Sequence, residues 1–96
     1  MKKQVQKRGR LDMQLSMATR QRIVNLSTIK NLSLRKLSNR AGIPYSTLVS
    51  FMLGRTKSMT LDTLYLVCMG LDIDLVDFFD DRLFSDIFDE HEKKLI

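Results

Sequence analysis

The stretch from residue 34 to residue 53 constrains the fold most, because it holds two amphipathic segments that only a short turn separates. Apolar residues recur in its first half at the spacing of a helix. Gly42 can adopt the positive φ that ends a helix sharply, and Pro44 suits the start of the next helix. The sequence therefore predicts two short helices, at about 34–41 and 45–53, that meet at a steep angle.

Apolar positions at helical spacing continue over the rest of the chain, and no strand-type alternation interrupts them. Three other helices are predicted, at about residues 17–30, 61–69 and 75–79. Ser16, Thr60 and Asp74 would cap their N-termini, and Gly70 would end the second of them. Residues 82–95 are compatible with a sixth helix. We therefore predict an all-α fold, a compact bundle of five helices with an extra helix at the C-terminal side.

Charge divides the chain into two unequal parts. Residues 1–57 carry thirteen Lys and Arg and one acidic residue, which gives a charge of +12. Residues 58–96 carry three Lys and Arg and ten acidic residues, which gives a charge of −7. A cationic surface favours nucleic acid or an anionic membrane as partner, and solvated charges of mixed sign are the alternative. We expect residues 1–12 to be a flexible basic arm, which either contacts DNA or is a solvated tail. Residues 13–80 would form the domain and residues 81–96 an amphipathic extension.

Several function classes are excluded by what the sequence lacks. Cys68 has no second cysteine to pair with, which fits a reducing compartment, and we expect it in the core. No apolar run reaches the ~20 residues of a membrane span, so we expect a cytoplasmic protein without a membrane partner. His91 stands alone, and the aspartates around residue 74 do not form a calcium loop. We expect no metal, no cofactor, no small-molecule ligand and no enzyme activity.

Three segments resemble a known family when they are read together. They are SLRKLSNRAGIPYSTLVSFMLG, RTKSMTLDTL and LYLVCMGLDIDLVDFF. The spacing from Gly42 to Gly54 within the first segment is part of the resemblance. Residues of about 17–79 resemble the phage-repressor-like helix-turn-helix family of the Cro/cI or XRE type. The resemblance implies a five-helix, lambda-repressor-like DNA-binding domain of a transcription regulator, usually dimeric. Its third helix would enter the major groove of double-stranded DNA.

The resemblance also implies which residues contact DNA. The base-reading positions are Pro44, Tyr45, Ser46, Val49 and Ser50. Together with the basic residues around them, the positions expected to contact phosphate are Ser33, Arg35, Lys36, Arg40, Thr47, Arg55 and Lys57. The base-reading set contains no Arg, Asn or Gln, the side chains that make bidentate contacts with bases. We therefore expect specificity to depend on van der Waals contacts, water and DNA shape.

Aromatic residues are concentrated near the C-terminus. Phe84, Ile87 and Phe88 could close the core, form a dimer seam or bind a partner protein, and we favour a dimer surface. The first functional hypothesis is a sequence-specific DNA-binding regulator that represses by occupying promoter DNA. The alternative is a protein-interaction module or antitoxin-like adaptor that binds its partner through the acidic, aromatic C-terminal segment.

Overall fold

The structure is a computed structural model that describes the backbone of residues 2–87 and the side chains of residues 14–87. Its five named helices are α1 (Lys2–Ile29), α2 (Leu34–Ala41), α3 (Tyr45–Met52), α4 (Leu61–Leu71) and α5 (Leu75–Phe79). A sixth helical segment, α6, covers residues 82–87. No strand occurs in this part of the chain, which confirms the all-α prediction. None of these helices combines the length and the apolar character needed to cross a bilayer.

The first helix begins much earlier than predicted. It starts at Lys2 rather than near residue 17, so the backbone of residues 2–12, which we expected as a flexible arm, continues α1. Lys, Gln and Arg make up most of this segment and favour helix, and its single Gly9 costs only about 1 kcal/mol. Ser16 therefore lies inside the helix and is not an N-cap. Its hydroxyl donates a hydrogen bond to the carbonyl of Lys57.

The α2–α3 pair follows its local signals closely. The Ser33 hydroxyl accepts a hydrogen bond from the backbone N–H of Lys36 at 3.1 Å, which confirms the predicted cap. Gly42 takes a left-handed conformation with φ of 72°, and its N–H donates to the carbonyl of Asn39. Pro44 is the N-cap residue of α3 and contributes no side-chain hydrogen bond. The turn between the two helices is three residues long, as predicted.

Gly70 does not end α4, and that prediction is wrong. The helix continues to Leu71 and ends at Asp72, which takes the left-handed conformation with φ of 58°. Gly70 is buried where α4 meets α2, and a Cβ atom placed there would lie 3.0 Å from the backbone nitrogen of Ala41. The glycine is therefore explained by the close approach of two helices rather than by a helix end.

The hydrophobic core draws on α1 to α5. Its buried members are Ile23, Leu26, Leu37, Leu48, Phe51, Leu64, Val67, Cys68, Leu71 and Phe78. Cys68 is 1% exposed, as expected for a core cysteine. Burial, together with the negative charge of Asp74, raises the pKa of its thiol to about 11, and Arg22 opposes this shift. The thiol is consequently protonated, and unreactive, at neutral pH.

Candidate nucleic-acid interface

The outer face of α3 is the first component of the site. Leu48 and Phe51 are buried, which fixes the rotation of the helix about its axis. With 100° between successive residues, the opposite face carries the predicted base-reading side chains. Tyr45 and Ser46 are exposed on it, and Val49 and Ser50 are half-buried. Pro44, also exposed, precedes the helix. This face is narrow and uncharged.

The start of α2 supplies cations beside that face. Arg35 and Lys36 are both exposed, and the guanidinium carbon of Arg35 lies 4.0 Å from the centre of the Tyr45 ring. This stacking brings a side chain of α2 to the first residue of α3. Ser33, predicted to contact phosphate, already uses its hydroxyl as the cap of α2. Its oxygen therefore has a structural partner without DNA.

Arg40 has a structural contact that the sequence did not indicate. Its Nε donates a hydrogen bond to the carbonyl of Gly70 at 2.8 Å. The bond joins the C-terminal end of α2 to α4, next to the close approach of Gly70 and Ala41. Part of the guanidinium predicted for phosphate binding is thus used to hold the two helices together.

The loop after α3 supplies the other cations. Arg55 and Lys57 are exposed, and Gly54 begins the loop with φ of 80°. The loop is held from α1 by Arg20, a residue to which the sequence analysis assigned no role. Its Nε donates to the carbonyl of Phe51 at 2.6 Å, and its Nη2 donates to the carbonyl of Thr56 at 3.2 Å.

A cleft of about 310 Å³ lies between α3 and the N-terminal end of α4. Seven of its nine lining residues carry hydroxyl groups. The nine are Ser46, Thr47, Ser50, Phe51, Thr56, Ser58, Met59, Thr60 and Thr63. Hydroxyl groups are common donors to phosphate oxygens. Thr47 is one of the predicted phosphate contacts, whereas the sequence analysis assigned no role to Thr56, Ser58 and Thr63, although the run from Arg55 to Thr63 is rich in Ser and Thr.

Of the residues predicted to form a dimer surface near the C-terminus, one packs against the core and one lies in a surface groove. Phe84 is half-buried against the core, with its ring centre 4.9 Å from that of Phe79 and 5.9 Å from that of Phe78. Its ring therefore helps to close the core. Ile87 is half-buried and lines a shallow groove of about 340 Å³ between α6 and α1. Phe88 lies outside the described residues.

Neither a metal-binding group among the described residues nor a similar known protein indicates the function. Among the residues that the structure describes, no group of three or more His, Cys, Asp or Glu is placed to hold a metal ion. No family model, curated protein or solved structure matches the chain. Its function therefore has to be inferred from its own residues.

Proposed function

We propose that this chain is a sequence-specific DNA-binding transcription regulator that represses by occupying promoter DNA in the cytoplasm. In this proposal α2 and α3 act as a helix-turn-helix of the lambda-repressor-like type. One observation carries the proposal: the outer face of α3 is uncharged and is bordered by exposed cations from α2 and from the following loop. The sequence between Asp12 and Asp62 contains no acidic residue at all. A DNA-facing surface needs this combination.

The division of labour follows from the chemistry of the two sets of residues. The major groove, ~12 Å wide, admits one helix, so α3 can place Tyr45, Ser46, Val49 and Ser50 against base edges. Hydroxyl groups accept or donate with several bases, and Val49 suits a thymine methyl group. Exposed cations neutralise phosphates and supply affinity that does not depend on sequence.

A salt titration of DNA binding tests this proposal. Random duplex selection would first identify a bound sequence. Binding constants would then be measured between 50 and 200 mM salt, about the range over which phosphate contacts lose most affinity. Each of Arg55→Ala and Lys57→Ala should reduce the slope of log K against log salt by about 0.9. Arg82→Ala, an exposed cation of α6, is the matched control and should leave the slope unchanged. Absence of binding to any duplex, or binding that does not vary with salt, would refute the proposal.

We further propose that the regulator is a homodimer that uses the outer face of α4. Leu61, Tyr65 and Met69 follow one another every four residues and are 64%, 51% and 57% exposed. A helix that is apolar on both sides is normally covered on both sides. With Leu66, which is 37% exposed, they form one exposed apolar surface on α4. Contiguous exposed apolar surfaces often mark sites of protein–protein contact.

The oligomeric state tests the dimer. Light scattering after size exclusion should give the mass of two chains, and Tyr65→Lys should return one chain. Ile29→Lys is the control, because Ile29 is 77% exposed at the end of α1. Asp62 in the first turn and Asp72 at the C-cap put a negative charge at each end of α4, and these charges would repel those of the second copy across a two-fold axis, so added salt should strengthen the dimer. A monomer at every concentration would contradict this interface.

An interaction module or antitoxin-like adaptor is the second candidate. The groove between α1 and α6 supports it, since Met17, Leu83 and Ile87 line a shallow apolar surface. Acidic residues follow in the sequence, most of them outside the described part of the chain. Under this candidate, Leu83→Lys abolishes binding to a partner protein, and the folded chain binds no DNA at low salt.

A further inference from the structure

The stacked pair of Arg35 and Tyr45 joins the start of α2 to the start of α3 on the exposed surface of the two helices. The guanidinium carbon stands 4.0 Å above the ring centre, inside the range of a cation–π contact. Both residues are exposed, and Tyr45 is 39% exposed. No atom of residues 14–87 accepts a hydrogen bond from this guanidinium. Stacking uses the face of the group and leaves the N–H donors at its edge unoccupied.

We propose that Arg35 reads a guanine base, with Tyr45 as the platform that holds its guanidinium in place. This inference rests on the proposed function, and it names the base that one side chain would bind. Tyr45 is the first residue of α3, and N-terminal residues of a recognition helix are the ones that contact base edges. A guanidinium held there lies at the base-reading end of the helix. Guanine offers two acceptors, O6 and N7, that match two parallel N–H donors of arginine.

Other basic residues near α3 do not meet these conditions. The Nε–H of Arg40 donates a hydrogen bond to the carbonyl of Gly70, so one of the donors of its guanidinium is already used. Arg55 follows the C-terminal end of α3, away from the residues that enter a groove first. Lys36 and Lys57 carry a flexible point charge rather than a planar fork, and among the described residues no aromatic ring lies against either of them. Arg35 is therefore the one planar donor held by a ring beside the outer face of α3 on the described surface, and that face has no Arg, Asn or Gln of its own.

Stacking also explains how an exposed arginine becomes specific. A free arginine side chain loses rotamer freedom when it binds, which reduces its net contribution. Contact with Tyr45 restrains the side chain before DNA is present. Because a phosphate contact tolerates many positions of the cation whereas a bidentate base contact does not, this restraint favours base reading.

Two variants of Arg35 separate base reading from phosphate binding. Duplexes that differ at single positions of the selected site are measured at one fixed salt concentration, and the salt slope is measured in parallel. The wild-type chain should prefer guanine at one position of each half-site, by roughly 5- to 150-fold over the other bases. Arg35→Lys should reduce that preference several-fold, because the planar fork is lost, while the salt slope stays within about 0.3 of the wild type, because the charge is kept. Arg35→Ala should abolish the preference.

The platform has its own matched pair of variants. Tyr45→Phe keeps the ring and should keep the guanine preference, whereas Tyr45→Leu removes the ring and should reduce the preference at the same base by several-fold. Circular dichroism confirms that each variant is folded. An unchanged guanine preference in Arg35→Ala would overturn the inference. So would an equal loss of affinity for all sequences in Arg35→Ala with a slope lowered by about 0.9, the signature of a phosphate contact. If the wild-type chain binds no duplex, the proposed function itself fails.

Discussion

Arg22 of α1 should be one of the largest single contributors to stability outside the core. Its Nε donates to the carbonyl of Phe78 at 2.7 Å and its Nη2 to the carbonyl of Asp77 at 2.8 Å. Its Nη1 lies 3.1 Å from Oδ2 of Asp81. Helix α5 is five residues long and has no basic residue in its last turn. The terminal carbonyls of α5 therefore lack donors of their own, and Arg22 supplies these donors from α1.

The expected cost of removing this side chain follows from those contacts. A hydrogen bond with a charged donor contributes ~1.5–3 kcal/mol, and two are lost in Arg22→Ala. Because the end of α5 is partly open to water, the freed carbonyls regain some solvation, and we expect a net loss of about 2–4 kcal/mol. The ion pair is a small part of this, about 0.5 kcal/mol, since the Asp81 side chain is 30% exposed.

Urea unfolding followed by circular dichroism measures the loss. Arg22→Ala should lower the free energy of unfolding by about 2–4 kcal/mol, from a total that for small domains is ~5–15 kcal/mol. Asp81→Asn should lower it by less than about 1 kcal/mol. Arg22→Lys keeps the charge but not the forked geometry and should lie between the two. A loss below about 1 kcal/mol for Arg22→Ala, or an equal loss for Asp81→Asn, would refute the reasoning.

Arg20 offers a matched comparison that connects stability with function. It makes the same kind of contacts two residues earlier, but to Phe51 at the end of α3 and to Thr56 in the basic loop. If the chain binds DNA as proposed, Arg20→Ala should weaken that binding under conditions where both variants are folded, because the loop with Arg55 and Lys57 loses its anchor. Arg22→Ala should leave DNA binding unchanged. Equal DNA affinity in the two variants would contradict a positioning role for Arg20.

Three further substitutions test the packing. Gly70→Ala should destabilise by up to about 2 kcal/mol in thermal unfolding, because overpacking costs ~1–3 kcal/mol and the gain in helix propensity offsets ~1 kcal/mol of it; greater stability would mean that α2 can move away. Ser27→Ala should stabilise by about 1 kcal/mol in the same assay, because the buried Ser27 hydroxyl has no partner among the described residues. For Cys68, the folded pKa of about 11 exceeds the ordinary 9.0, so the unfolded chain loses its proton first and stability falls as pH rises from 9 to 11. Urea titrations should show this decline, on the order of 2–3 kcal/mol at ~1.4 kcal/mol per pKa unit, in wild type relative to Cys68→Ala; parallel curves would contradict it.

Local signals made α2, α3 and α5 predictable. Ser33 and Asp74 cap their helices within three residues of themselves, and Gly42 ends α2 by its own backbone conformation. Each of these signals depends only on neighbours in the sequence. The burial of Leu48 and Phe51 also follows from helical spacing alone. The outer face of α3, the candidate site, was consequently identified before any tertiary contact was known.

What sequence analysis missed depends on distant parts of the chain. Arg22 contacts residues 55 to 59 positions away, and Arg20 contacts residues 31 to 36 positions away. Gly70 was interpreted as a helix end because glycine often has that role, whereas its neighbour across the helix contact is Ala41. A usable signal did exist for the arginines, because α3 and α5 both lack a basic residue in their last turn. Such helices need a donor from elsewhere.

The same contacts change what the basic half of the chain can do. Arg20, Arg22 and Arg40 each donate to backbone carbonyls, so the charge of +12 in residues 1–57 overstates the number of cations that are free for the proposed contact with DNA. If Arg35 reads a base, the phosphate contacts beside α3 are those of Lys36, Arg55 and Lys57. Three contacts predict a slope of log K against log salt of about −2.7 per protomer. A measured slope near −2.7 would mean that these three cations account for the electrostatic affinity. A slope several units steeper would place the five basic residues of the first ten on the DNA as well, and deleting residues 2–10 should then return it to about −2.7.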